Sequence, residues 1–497
     1  MTTLLLRNAQ LTGQRGLRDV LLRDGVVDAC APSGSSASSS GGSASDGSTS
    51  ESIDLGGRWL LPAFWDAHVH FAQWVVRRQR VDLAETDSAA AAVAVMREAL
   101  RHRTDAVLVG YGFRDALWGD LPTRAALDEI APDRPIVLIS GDLHCGWLNS
   151  AAGRLLGVTL PDDGVLREAE WIGTLDGLDS LSPPDLAAYR EAADAAASRG
   201  VVGIVEFENA DNFDAWPARV AAGVTALRVE ASVWPDRLEE AIARGFRTGD
   251  ALDPHGLITM GRLKVVVDGS LNTRTAFCWD PYPGIPASHP HPCGMLSVAP
   301  DELERLLVRA REAGIAPAVH AIGDQANTTV LDTFERLGIQ GVIEHAQLVS
   351  ASDFDRFGRL GVTASVQPEH ALDDRDVADR FWAGRTDRAF AFASLHRAGA
   401  VLALGSDAPV APLDPWLALG AAVSRRRDER AAWHPNERLP LDVALAASTR
   451  GRSTVDVGSA ADLIVVDENP ADVAADHLRT MPVAATLLGG RPTWNTL

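Results

Sequence analysis

The sequence predicts an α/β fold: a (β/α)8 TIM barrel, a small β-sandwich formed by both termini, and an α+β subdomain inserted into the barrel. Three observations carry this. Through the middle of the chain, eight short apolar segments alternate with long Ala-rich stretches, the rhythm of repeated βα units. The two ends show a different pattern, short apolar runs punctuated by tight turns. One interval, residues 75–182, breaks the alternation and carries strand signals of its own.

From the N-terminus, Leu4–Leu6, Val20–Leu22 and Val26–Val27, with a turn at Arg23–Gly25, give a β-meander signal. Residues 33–52 are almost all Ser, Gly, Ala, Thr and Asp. They cannot bury enough apolar surface to offset chain entropy and are expected to form a disordered loop. Strand patterns resume at Ile53–Leu55 and Trp59–Leu61, and at the far end at Ala461–Val466 and Ala484–Leu488. Residues 1–59 and 455–497 are therefore expected to pair in one composite sandwich. The barrel, 60–454, draws its strands from 60–66, 201–206, 226–233, 262–267, 315–320, 341–345, 361–367 and 400–405. Helices fit between most of them, as at 183–199 and 300–313. The insert at 75–182 shows strands at Ala106–Val109 and Ile136–Ile139.

Composition narrows the function classes. The net charge of −21 argues against nucleic acid or an anionic membrane as partner. No apolar run approaches the roughly 18 residues needed to cross a bilayer, and the N-terminus does not read as a signal peptide. Four scattered cysteines fit reduced thiols, so a cytoplasmic protein is expected. The 13 Trp against 3 Tyr hint at an apolar or aromatic small-molecule substrate. Trp74, Trp118, Trp147, Trp234, Trp279 and Trp382 read as lying on or near loops. A homo-oligomer is compatible with all of this.

One residue stands out. Lys and Arg together number 46, and Lys264 is the single lysine. A position that stays Lys against that bias needs a property Arg lacks: a buried Lys can lose its proton and act as an amine. Its setting, Arg262-Leu-Lys-Val-Val-Val-Asp268, reads as a buried strand running into a loop.

In a TIM barrel, chemistry sits at the C-terminal ends of the strands. The first strand ends in Asp66-Ala-His68-Val-His70, whose two imidazoles share one side of a period-two strand. The fourth supplies Lys264, the fifth His320, the sixth His345 and the eighth Asp407. Two divalent cations held close together need a bridging anion. A neutral Lys amine that adds carbon dioxide becomes a carbamate, and Lys264 would bridge the metals in that form. His68, His70 and Asp407 would hold the first ion, His320 and His345 the second. A metal-bound hydroxide would attack, and Asp407 would take and return the proton. Imidazole and carboxylate ligands suit zinc, with manganese, iron and cobalt as alternatives.

The segments Leu61–His70, Lys264–Arg274, His320–Asp324, Ile343–Gln347 and Gly405–Val410 resemble the amidohydrolase superfamily, in its YtcJ-like branch with N-substituted formamide deformylases. The resemblance spans nearly the whole chain with its motifs in order. It implies the sandwich-plus-barrel fold, a metal centre with carbamylated lysine, and hydrolysis of amide-like C–N bonds other than peptide bonds. The chain departs from the pattern at Pro62-Ala63-Phe64, where Gly is usual, and in the Ser-rich loop.

Further candidates are less specific. His144 in the insert, Arg274 after the fourth strand, Asp324 after the fifth and His370 after the seventh are expected to contact substrate or support the ligands. The loop 277–296, with Trp279, Tyr282, His289, His291 and Cys293, reads as a lid. Competing readings are a lactonase, esterase or phosphotriesterase on the same metals, a mononuclear deaminase, and a non-catalytic barrel. Deaminases that resemble this chain usually place Glu three residues after the fifth-strand His; here that residue is Gly323.

Overall fold

Eight parallel strands follow one another around a barrel: Phe64–Val69, Val201–Glu206, Arg228–Val233, Ile258–Val266, Pro317–Ala321, Val342–His345, Thr363–Val366 and Val401–Leu404. Each pairs in parallel with the next. The last strand meets the first through Asp407 N–H to the His68 carbonyl and His70 N–H to the Ala408 carbonyl, both 2.8 Å. This computed structural model describes residues 3–34, 51–113, 115, 118–140, 145–167, 170–171, 173–174, 177–178, 183–286 and 288–497. Most of the loop expected at 33–52 therefore lies outside the described residues, although Glu51–Asp54 forms a strand. Among the described residues no helix is long and apolar enough to cross a membrane.

The first barrel strand differs from its expected bounds of 60–66. The apolar run Trp59–Phe64 holds two strands, not one. Trp59–Pro62 pairs with Leu463–Val466 in the terminal sheet, and the barrel strand begins only at Phe64. Only Ala63 lies between them and both strands are buried, so Pro62 is the one punctuation in the run. Ala63 keeps an ordinary negative φ at the point where Gly is usual in the family pattern.

The terminal strands form an eight-stranded arrangement hinged on the strand Thr3–Leu11. Its first half pairs with Arg18–Arg23 and Glu51–Asp54, and its end pairs with Trp59–Pro62. The register shifts between Leu6 and Ala9, where Asn8 adopts φ 56°. That bulge lets one strand serve two sheets, the usual way a sandwich turns a corner. Leu4, Leu6, Leu22, Leu60, Leu463, Val465 and Leu487 fill the space between the faces.

Chain contacts separate residues 72–192 as a unit of their own. Its sheet has three parallel strands, Val81–Asp82, Leu108–Phe113 and Ile136–Ser140, followed by antiparallel Cys145–Leu148 and Val165–Arg167. Trp147, expected near a loop, instead sits within a strand and is fully buried, with its indole N–H on the Thr123 carbonyl. Trp382 is likewise core, and of the expected loop tryptophans only Trp279 is well exposed.

Candidate metal centre

The strand ends bring four imidazoles, one amine and one carboxylate together. His68 arrives through a register shift: Asp66 pairs with Ile204 but Val69 with Glu206, so one residue is extra. The bulge lets Ala67 and His68 both reach the lumen, while His70 follows on the same side. Asp66 fastens this strand to the eighth, accepting from Ser406 N–H at 2.9 Å and His68 N–H at 3.1 Å. Burial pushes its carboxyl up to about 6 against those hydrogen bonds.

Asp407 Oδ1 lies 3.5 Å from both His68 Nε2 and His70 Nε2, and its Oδ2 lies 3.9 Å from His370 Nε2. Two trios have ligand atoms mutually within 4.8 Å: His68, His70 and Asp407, and His345, His370 and Asp407. Asp407 belongs to both. His345, Ala346 and Asp407 hold left-handed backbone at φ 75°, 41° and 56°. Such conformations cost energy in non-Gly residues and cluster at functional sites. At His345 the turn out of the strand directs its ring to the same side as Glu344, against the strand's alternation.

The ring nitrogens are already sorted. His68 Nδ1 donates to Glu344 Oε2 at 2.7 Å, and His345 Nδ1 donates to Gln367 Oε1 at 2.8 Å. Each bond fixes a tautomer whose Nε2 lone pair faces the cluster, the arrangement metal-binding histidines use. Burial, with neighbouring positive groups, holds His68 and His345 well below the usual imidazole range. His70 and His370 are pushed down to about 4, chiefly by burial. His70 Nδ1 and His370 Nε2 are buried without a hydrogen-bond partner. Neutral imidazoles with inward lone pairs around a carboxylate fit a divalent cation better than any arrangement of protein groups alone.

Lys264 lies two residues before the end of its strand, beside His68, Nζ to Nε2 3.4 Å, and is 2 % exposed. Its ammonium also lies 4.4 Å from the centre of the Phe207 ring. Among the described residues no carboxylate is within ion-pair distance of it. Burial lowers its pKa to about 8, although Glu344 and Asp407 pull the other way.

The remaining expected residues fall in different places. His320 lies outside both trios; its Nε2 is 3.3 Å from Asp268 Oδ1, though its ring is 4.6 Å from that of His345. Asp268 also accepts from Ile322, Gly323 and Phe277 N–H, binding the fourth and fifth strand ends together. Asp324 accepts from Trp279 N–H at 3.0 Å, so it ties down the 277–296 loop. That loop folds back on itself, Cys278 N–H to Cys293 O and Tyr282 N–H to Pro292 O, each 2.8 Å. Arg274 is exposed, with its guanidinium 5.5 Å from the Phe381 ring. His144 lies outside the described residues. Glu344, Gln367 and Asp268 were not singled out from the sequence, although Glu344 stands inside the segment Ile343–Gln347 and Asp268 inside Lys264–Arg274. For Glu344 the available signal was a polar residue next to a ligand His in an otherwise apolar strand; Asp268 and Gln367 each follow the apolar end of a strand.

The family described as "Amidohydrolase family" matches residues 51–494. The chain belongs to the amidohydrolase family. Among its relatives is the YtcJ protein of Bacillus subtilis strain 168, which carries an amidohydrolase name. It is 28 % identical, with 89 % of this chain and 90 % of that protein covered. The N-substituted formamide deformylase of Arthrobacter pascens is 26 % identical, covering 88 % of this chain and 89 % of the relative. A metal-dependent hydrolase of unassigned substrate from Pyrococcus horikoshii superposes with a TM-score of 0.77 at 25 % identity. The match covers 96 % of this chain and 99 % of that one. These place this amidohydrolase in the YtcJ-like branch, as a metal-dependent hydrolase acting on a small molecule.

Proposed function

We propose that this amidohydrolase cleaves a C–N bond outside peptides, in an amide, formamide or cyclic amide, at a binuclear centre bridged by carbamylated Lys264. The observation that carries the reading is the position of Lys264: buried, without a carboxylate at ion-pair distance among the described residues, and facing the imidazole lone pairs. An ammonium there would meet neutral imidazoles and repel a cation. A neutral amine can attack the carbon of carbon dioxide; the nitrogen gives its proton to solvent and the new carboxylate takes the charge. The residue then supplies the anion that two adjacent cations require.

His68, His70 and Asp407 would hold one ion and His320 and His345 the other, with His370 beside Asp407. Two bound divalent ions, zinc by the donor types, would supply Lewis acidity toward a carbonyl oxygen and make water acidic near neutral pH. Asp407 touches both trios, so it can accept the proton of the attacking water and deliver it to the departing nitrogen. His370 Nε2, buried and unpartnered, can hold Asp407 or the substrate in line. Glu344 and Gln367 keep the two ligand rings oriented.

The same site argues against a deaminase. A side chain at position 323 would meet the Phe277 carbonyl oxygen 2.1 Å from its Cβ, so the Glu usual in deaminases has no room. The Arthrobacter relative is named for removing a formyl group from an N-substituted formamide. Here that reaction class is a proposal. It is tested by metal analysis of protein purified without added metal, with a screen of formamides, N-acyl amines and cyclic amides. Esters, lactones and phosphotriesters serve as the comparison panel. About two ions per chain and turnover confined to C–N substrates are expected; faster turnover of esters, lactones or phosphotriesters would overturn it.

A further inference from the structure

We propose that the barrel lumen beneath the metal centre is a second ligand site, built for a small monoanion with an apolar body such as a medium-chain carboxylate. A TIM barrel is normally filled by layers of side chains and is not a pore. Here the lumen holds a cavity of about 530 Å³, within the usual range of small-molecule pockets, roughly 300–1,000 Å³. It is left open because small residues occupy lumen places: Ala67 on the first strand and Ala403 on the eighth. Gly203 lets the Trp65 indole lie across the second strand, since a Cβ there would fall 2.4 Å from the ring.

The cavity opens at the end opposite the metal centre. Thr363 and Val401, the first residues of the seventh and eighth strands, line it, and Val401 is 61 % exposed. Charge at this mouth is unbalanced. Arg450 Nη2 lies 2.7 Å from Glu230 Oε1, and Arg262 Nη1 lies 3.1 Å from Glu230 Oε2. Two guanidiniums thus share one carboxylate, and each keeps N–H donors to spare. Arg450 is held in place by stacking over Trp65, 3.3 Å from the ring centre.

Further in, the walls are Val205, Phe207 and Val342, and the deep end carries Glu344. An acid at the deep end repels an anionic head, while two arginines at the mouth attract one. A ligand would therefore lie with its carboxylate between Arg262 and Arg450 and its chain running toward Phe207.

Calorimetry with straight-chain carboxylates from butanoate to octanoate tests this on the full-length protein, metal-loaded and metal-stripped. One molecule per chain should bind in both forms, tightening about threefold to fourfold per methylene until the cavity is filled. Octylamine should not bind. Arg450→Gln should weaken octanoate at least tenfold, and Ala447→Phe, which fills the cavity from the helix Leu441–Ser448, should abolish binding. Absence of octanoate binding to the wild type would overturn the site. So would octanoate binding that disappears with the metal, or that neither variant changes, because the carboxylate would then be bound elsewhere.

Discussion

Arg262 and Lys264 stand two residues apart on one barrel strand, and both face the lumen. Their surroundings differ sharply. Arg262 has a side chain 32 % exposed and pairs with Glu230, while Lys264 is 2 % exposed and has no carboxylate at ion-pair distance among the described residues. At the open end of the barrel a permanent charge is cheap, and a guanidinium serves. Two residues deeper a permanent charge would be costly, and a group that can shed its proton is needed. The single lysine of the chain thus marks where the lumen changes from a solvated mouth to the candidate metal centre.

Exchanging the two residues sharpens this most. Lys264→Arg should leave the fold intact by circular dichroism but lower metal content and cut turnover by more than about a hundredfold, beyond the effect of losing a supporting residue. Arg262→Lys should keep turnover within about twofold and cost less than about 1 kcal/mol in denaturant unfolding, as expected of a part-exposed ion pair. Between these extremes, Asp407→Asn should keep some metal and lose about 10²–10⁴-fold in turnover, the range for a lost proton shuttle. Glu344→Gln leaves every proposed ligand in place but weakens the hold on His68. It should raise the metal dissociation constant about 10–100-fold, read by competition with a chelator.

A pH test follows from burial of the lysine. Its pKa is lowered to about 8 in the metal-free chain, so the reactive neutral amine dominates only above that value. Reactivation of stripped enzyme by metal at fixed dissolved carbon dioxide should therefore slow about tenfold for each pH unit below 8 and level off above it. A rate independent of pH between 6 and 8 would mean that the amine is not the reacting group.

Much of this was legible in the sequence, and the exceptions have physical causes. The barrel strands are buried on both faces, so they read as apolar runs and stand out from the Ala-rich helices. The same property hid the join at Ala63, where two buried strands abut. The strand ends that form the candidate centre were legible because polar residues there interrupt apolar runs. Glu344 was not, because alternation sends neighbours to opposite faces; only the left-handed turn at His345 brings both to the site. The lumen cavity was invisible for a different reason. Ala67 and Ala403 look like ordinary small core residues until all eight strands are closed around them.

Of the side chains in the centre, only the Lys264 amine can take up carbon dioxide and hold its carbon as a carbamate. Metal-loaded protein equilibrated with ¹³C-labelled carbon dioxide should show one slowly exchanging carbamate signal by ¹³C NMR, absent from Lys264→Arg. Wild-type protein that carries its full metal complement and turns over substrate without that signal would contradict the proposed carbamate.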